Sequence, residues 1–181
     1  MNNTSIEYDN VIKNARNLFI NKMKDYGTSW RIMRLPSLTD QIFIKANRIR
    51  SIQESGVNLV GDDIKEEFIA MLNYGIIALI QCELGTESTE EIENGLAEKL
   101  YDKYAGQTKE LMMKKNHDYG EAWRDMRISS MTDVILMKIK RLKQIEDNQG
   151  KTVVSEGVEG SYSDIINYSI FCLIQLEEGK E

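Results

Sequence analysis

The chain of 181 residues contains one histidine, one proline and two cysteines, and no apolar run that reads as a membrane span. Each scarcity removes a class of function. One His and two Cys cannot complete a Cys/His zinc site, and no CxxC pair occurs. There is no Ser/His/Asp or Cys/His set for nucleophilic catalysis, and no GxxxxGKS or GxGxxG loop. Cys82 and Cys172 fall in the apolar runs 76–82 and 170–176, where a reduced thiol packs as a small hydrophobe. The longest apolar stretch reads as Ile165–Leu176, which is too short to span a bilayer and carries Asn167 and Gln175, so no membrane association is expected. The opening MNNTSIEYDN has neither a basic n-region nor an apolar h-region, and a cytoplasmic location is expected. Lys and Arg number 23 against 29 Asp and Glu, for a net charge of −6. That balance excludes generic coating of nucleic acid, which needs a basic surface, but leaves room for a local basic pocket.

What is present is a duplication. Asp25-Tyr26-Gly27 recurs 93 residues later as Asp118-Tyr119-Gly120, and segments 25–52 and 118–145 agree at 14 of 28 positions. A second block, 73–85, recurs at 167–179 with 8 of 13 positions identical. Residues 1–90 and 91–181 are therefore read as two copies of one unit, with an acidic seam at 86–94. Three short helices bury little surface alone. A second copy can cover the open face, so one structural domain over 1–181 is expected.

Each copy reads as three helices. The first runs about Ile6–Lys24 and Leu96–His117 and ends at the DYG, whose glycine suits a helix C-cap. An irregular segment follows. The second helix is expected to open at Ser37–Asp40 and Ser130–Asp133, with hydroxyls capping free N–H groups, and to run to Gln53 and Ile145. The third covers about Asp63–Leu84 and Ser161–Glu178, and residues 150–157 are a weak strand candidate. The expected fold is all-α: a helical bundle of two tandem three-helix repeats packed as an internal pseudo-dimer.

Polar residues kept in both copies are the candidates for chemistry. They are Asp25/Asp118, Tyr26/Tyr119, Trp30/Trp123, Arg31/Arg124, Arg34/Arg127, Asp40/Asp133, Lys45/Lys138, Arg48/Arg141, Asn73/Asn167 and Tyr74/Tyr168. Two accounts fit them. Asp40, Lys45 and Arg48 share one helical arc and could brace the third helix as an ion-pair network. Alternatively, Arg forks and a Lys can hold phosphate oxygens while Trp or Tyr meets a base. Asn73 and Asn167, inside apolar runs, are either helix-to-helix bonds or part of a ligand site. The second copy adds Glu156, Glu159 and Asp164. Magnesium takes oxygen ligands, so these three are its candidate set, with a solvated acidic helix start as the structural alternative. Ala70 stands at the Asp164 position in the first copy. His117, whose mate is Lys24, is not read as an essential base.

The pattern KxxDYGxxW…RxxDxxxxKxxRL…DxxNYxI resembles the nucleotide modification associated domain 1 family. Lys115, Asp118, Tyr119, Gly120, Asp133, Lys138, Arg141, Asp164, Asn167 and Tyr168 carry it in the second copy, and Lys22, Asp25, Tyr26, Gly27, Asp40, Lys45, Arg48, Asn73 and Tyr74 in the first. The resemblance implies a role in deoxynucleotide metabolism or base modification, and kinship with the MazG-like all-α nucleotide pyrophosphohydrolases. Those enzymes hold Mg²⁺ with ExxE and ExxD pairs, whereas this second helix offers Asp, Lys and Arg. The expectation is a protein that binds a nucleotide or other phosphorylated small molecule and is compatible with a homo-oligomer. If it is an enzyme, Mg²⁺-dependent hydrolysis of a nucleoside phosphate is expected. The alternative is a non-catalytic helical scaffold for a protein partner.

Overall fold

The computed structural model describes residues 3–180. Six helices follow one another: α1 (Asn3–Tyr26), α2 (Leu35–Ser55), α3 (Ile64–Leu84), α4 (Asn94–Tyr119), α5 (Ile128–Asp147) and α6 (Val158–Glu177). Short 3-10 turns, Ser29–Ile32 and Ala122–Asp125, separate the first two helices of each repeat. No strand occurs among the described residues, and 150–157 is a loop rather than the strand weighed from sequence. Val153 and Val154 are almost fully exposed there, with no partner strand to satisfy a ladder.

The DYG glycines do cap their helices. Gly27 and Gly120 take φ of +63° and +61°, and their N–H groups donate to Met23 O and Asn116 O. The expected hydroxyl caps on the second helices do not form. Arg34 and Arg127 occupy the N-cap positions without a side-chain bond, and Pro36 sits in the first turn of α2, where its missing N–H costs nothing. Thr39 and Thr132 are instead fully buried.

α3 and α6 form the centre of the bundle, flanked by α2 and α5, with α1 and α4 packed across them. By length and composition α3, rather than the stretch Ile165–Leu176, is the helix among the described residues that could cross a membrane. Its apolarity has another use: 61% of its most apolar window is buried inside the protein. Phe68, Leu72 and Ile76 of α3 and Ile166 and Ile170 of α6 have no exposed surface. At Gly75 the helices approach so closely that a Cβ would lie 2.6 Å from Ile166 Cγ1.

The contacts between repeats come in reciprocal pairs. Arg16 bonds Asp102 at 2.6 Å and Lys109 bonds Asp9 at 2.6 Å. Lys143 meets Asp40 at 2.8 Å, and Arg50 meets Asp133 at 3.5 Å. Tyr8 OH donates to Asn167 Oδ1 at 2.9 Å, while Tyr101 OH donates to Asn73 Oδ1 at 2.8 Å. Residue i of one repeat touches j of the other, and j's mate touches i's mate. This is the signature of an isologous, two-fold-like interface, here within one chain.

One member of these pairs has changed its chemistry. Gln53 Nε2 donates to Thr132 Oγ1 at 3.2 Å, but its mate Glu146 accepts from Thr39 Oγ1 at 2.6 Å and from Tyr162 OH at 3.2 Å. Burial raises the Glu146 pKa above its ordinary value, against the opposing effect of those two bonds. A carboxyl with a raised folded pKa favours the protonated fold, so stability declines as pH rises from the unfolded value through the folded one. Glu146→Gln should therefore stabilise the protein at pH 7, on the order of 0.5 kcal/mol for a half-buried site. The gain should vanish at pH 4. Urea midpoints at the two pH values check this, and an equal gain at both would contradict it.

Candidate functional site

Each repeat builds one cavity between its first helix, its 3-10 turn and its third helix. In the first repeat a cavity of about 280 Å³ is lined by Lys22, Tyr26, Trp30, Asn73 and Tyr74 among others. In the second, about 440 Å³ is lined by the mates Lys115, Tyr119, Trp123, Asn167 and Tyr168. The repeated Lys, DYG tyrosine, Trp and Asn-Tyr motif thus converges on equivalent places. Lys22 and Lys115 recur at the same offset as the DYG, a signal that marked them as motif members but not as site residues.

The cavities differ in charge because one carboxylate has moved by a helical turn. In the first repeat Glu67, at the start of α3 and 5% exposed, takes Arg48 at 2.6 Å and Lys45 at 3.3 Å. This matches the bracing reading for Lys45 and Arg48; Asp40 instead pairs with Lys143 on α5. In the second repeat Ser161 stands at the Glu67 position, and the acid appears three residues later as Asp164. Its two oxygens take Lys115 at 2.7 Å and Lys138 at 2.6 Å. Burial alone would raise the Asp164 pKa, but the hydrogen bonds from Lys115 and Lys138 outweigh it and hold the carboxyl below its ordinary value. Arg141, mate of Arg48, is consequently left without a carboxylate among the described residues.

Lys138 and Asp164 also form the wall of a second, more open cavity of about 600 Å³, which Arg141, Lys151, Ser161 and Glu156 border. An aromatic chamber and a cationic trough therefore share one wall. The first turn of α6 lies at the trough, and its N-cap, Gly157, supplies no side-chain bond to the free N–H groups.

Several expected contacts are spent inside the protein. Arg31 is 4% exposed, and its guanidinium donates to Gln81 Oε1 and to the carbonyls of Gly85, Ser88 and Glu90. It ties the 3-10 turn to the segment joining the repeats. Arg124 bonds Glu7, Glu121, Glu178 and Thr4. Gln81 and Gln175 hold the turns from α3 and α6 by donating to their carbonyls. Both glutamines recur at the Asn-Tyr offset, yet their role was invisible because a Gln in an apolar run carries no chemical motif. Asn73 Nδ2 donates to Ala15 O and Asn167 Nδ2 to Thr108 O, so both amides are structural as well as cavity-lining.

The remaining candidates lie outside the cavities. Arg34 and Arg127 are exposed helix starts, and Asp25 and Asp118 are exposed, the latter meeting His117 Nδ1 at 3.1 Å. The proposed magnesium set does not assemble. Among the described residues no three His, Cys, Asp or Glu side chains come together, and both Asp164 oxygens already accept from ammonium groups. Glu159 is exposed on the first turn of α6. Donors so placed do not fit a hard cation, which needs several free oxygens. The thiols pack as expected, and burial pushes Cys82 up to about 12 and Cys172 also upward, which keeps both protonated.

The fold and cavities define a tandem-duplicated, all-helical protein with a lysine–aromatic pocket in each repeat. A model of the family described as nucleotide modification associated domain 1 matches residues 22–82 and 115–176, each segment opening on a cavity lysine, and the chain belongs to that family. No curated protein and no solved structure matches it.

Proposed function

We propose that the second repeat binds a nucleotide, with its base in the aromatic chamber and its phosphate in the adjoining trough. One observation carries this reading: the chamber lined by Tyr119, Trp123, Tyr168 and Phe171 adjoins, sharing Lys138 and Asp164, a trough that Arg141 and Lys151 border. Aromatic rings supply a surface for any base, and a guanidinium free of carboxylate partners matches phosphate oxygens. Asp164 holds the Lys138 ammonium in place at the trough, so the phosphate meets a cation already oriented. The Asn116 amide at the chamber, where the first repeat has Met23, offers a hydrogen-bonding group for a base edge. The scaffold alternative draws on Arg31, Arg124, Lys45 and Arg48, which are internal ties, but it leaves Arg141 and Lys151 unexplained.

Thermal shifts with deoxynucleosides and their 5′-monophosphates test the reading. A monophosphate at 100 times its Kd should add about 2.7 kcal/mol, or roughly 5–11 °C for a chain of this size. Arg141→Ala should weaken the monophosphate roughly 10-fold, in line with a lost charge-assisted bond, and leave the nucleoside within about 2-fold. Because Arg141 is exposed, its loss should not move the unliganded Tm. No shift with any nucleotide would favour the scaffold.

A further inference from the structure

The first repeat's cavity is not a copy of the second. Three substitutions change what it can hold: Ala70 replaces Asp164, Met23 replaces Asn116, and Ile77 replaces Phe171. The last one matters most. In the second repeat Phe171 stacks on Trp123 with ring centres 4.3 Å apart and planes 5° from parallel, and the Arg124 guanidinium carbon lies 4.4 Å from the same ring centre. Phe171 and Arg124 thus occupy ring surface of Trp123 that a stacked guest would need. Trp30 has neither neighbour. Arg31 is turned away to the inter-repeat segment, and the nearest ring, Phe19, is tilted by 40° at 6.5 Å. A tryptophan bordering a cavity, with an aliphatic side chain where its mate has a stacked phenyl ring, offers a place for a planar guest.

The electrostatics specify that guest further. Lys45 and Arg48 are held by Glu67, so among the described residues lining this cavity only Lys22, at the exposed rim, is charged. A single solvated ammonium adds little to the binding of a phosphate. The Trp30 indole N–H, like that of Trp123, is buried and meets no acceptor among the described residues. A donor in that state is completed by an acceptor on a guest or by water.

We infer that the first repeat's cavity is a second binding site, for an uncharged planar heteroaromatic group of nucleobase size that stacks on Trp30. This site has its own geometry and does not depend on nucleotide binding in the second repeat. The cavity of about 280 Å³ lies at the small end of ligand pockets, which suits a single base or nucleoside rather than a dinucleotide.

The protein holds two tryptophans, one at each cavity, so its indole N–H resonances report the sites separately. They are assigned with Trp30→Phe. Benzimidazole, deoxyadenosine and deoxyadenosine 5′-monophosphate are titrated into the ¹⁵N-labelled full chain. The Trp30 signal should move with all three, with Kd values for nucleoside and monophosphate within 3-fold of each other. Ile77→Phe, which places a phenyl ring as the second repeat does, should weaken that response at least 10-fold while the Trp123 response stays unchanged. A Trp30 signal unmoved by benzimidazole and deoxyadenosine at millimolar concentration overturns the inference. So does a Trp30 response at least 10-fold tighter for the monophosphate, or one insensitive to Ile77→Phe. Failure of nucleotide binding in the second repeat would appear on the Trp123 signal alone, so the two readings fail separately.

Discussion

Arg31→Ala should cost roughly 3 kcal/mol of stability, whereas Arg34→Ala, three residues away, should cost less than about 0.5 kcal/mol. The two arginines look equivalent in the sequence, each kept in both repeats and each in the irregular segment. Burial separates them. Arg31 sits almost wholly inside the protein and donates to a glutamine amide and three carbonyls, which no other side chain replaces. Removing it strands those acceptors at the junction of the repeats and frees the 3-10 turn that carries Trp30. Arg34 is an exposed N-cap with no side-chain cap bond, and water takes its place. For a chain of this length 3 kcal/mol corresponds to a fall in Tm of about 6–12 °C, which differential scanning calorimetry resolves easily. Equal effects from the two substitutions would contradict the assignment of Arg31 as a structural tie.

Asn167→Leu should be nearly as damaging, at roughly 2–3 kcal/mol, because it abandons buried polar partners on two other helices. The Asn167 carbonyl accepts from Tyr8 OH of α1, and its amide donates to Thr108 O of α4. Tyr8 has no exposed surface, so its hydroxyl cannot turn to water, although Thr108 Oγ1 lies 3.0 Å away. Burial also drives the Tyr8 pKa upward, which keeps the hydroxyl a neutral donor across the physiological range. Adding Tyr8→Phe to Asn167→Leu should recover part of the loss, because an apolar pair of similar shape leaves fewer groups unsatisfied. The double-mutant cycle, read by urea unfolding, should give a coupling of about 1 kcal/mol between residues 159 positions apart. Strict additivity would mean that the bond does not join the repeats.

The candidate site was legible in outline. Repetition of Trp30/Trp123, Tyr26/Tyr119 and Asn73/Asn167 pointed to the walls of two equivalent cavities, since each pair lines the cavity of its own repeat. The division of the cations was not legible. Lys45, Arg48, Lys138 and Arg141 have the same spacing in both repeats, yet the first pair is neutralised by Glu67 and the second faces Asp164 and a trough. The difference lies in where one carboxylate falls on the facing helix. Helical periodicity places Glu67 and Asp164 on their own helices, but only packing of α2 on α3 and of α5 on α6 decides which cation each one reaches.

By itself the sequence determined the helical class, the duplication and its offset, and the glycine stops at the end of α1 and α4. These follow from local rules: apolar spacing of 3.6 residues, a missing Cβ where φ is positive, and similarity between two stretches of one chain. The tertiary structure decided which retained arginines are buried ties and that α3 serves as a core helix. It also decided that Asp164 holds two lysines, Lys115 and Lys138, and that no three acidic side chains come together among the described residues. Each of these depends on distances between residues tens of positions apart. A charge buried against carbonyls and a charge open to solvent are written with the same letter, and only the packed neighbours separate them.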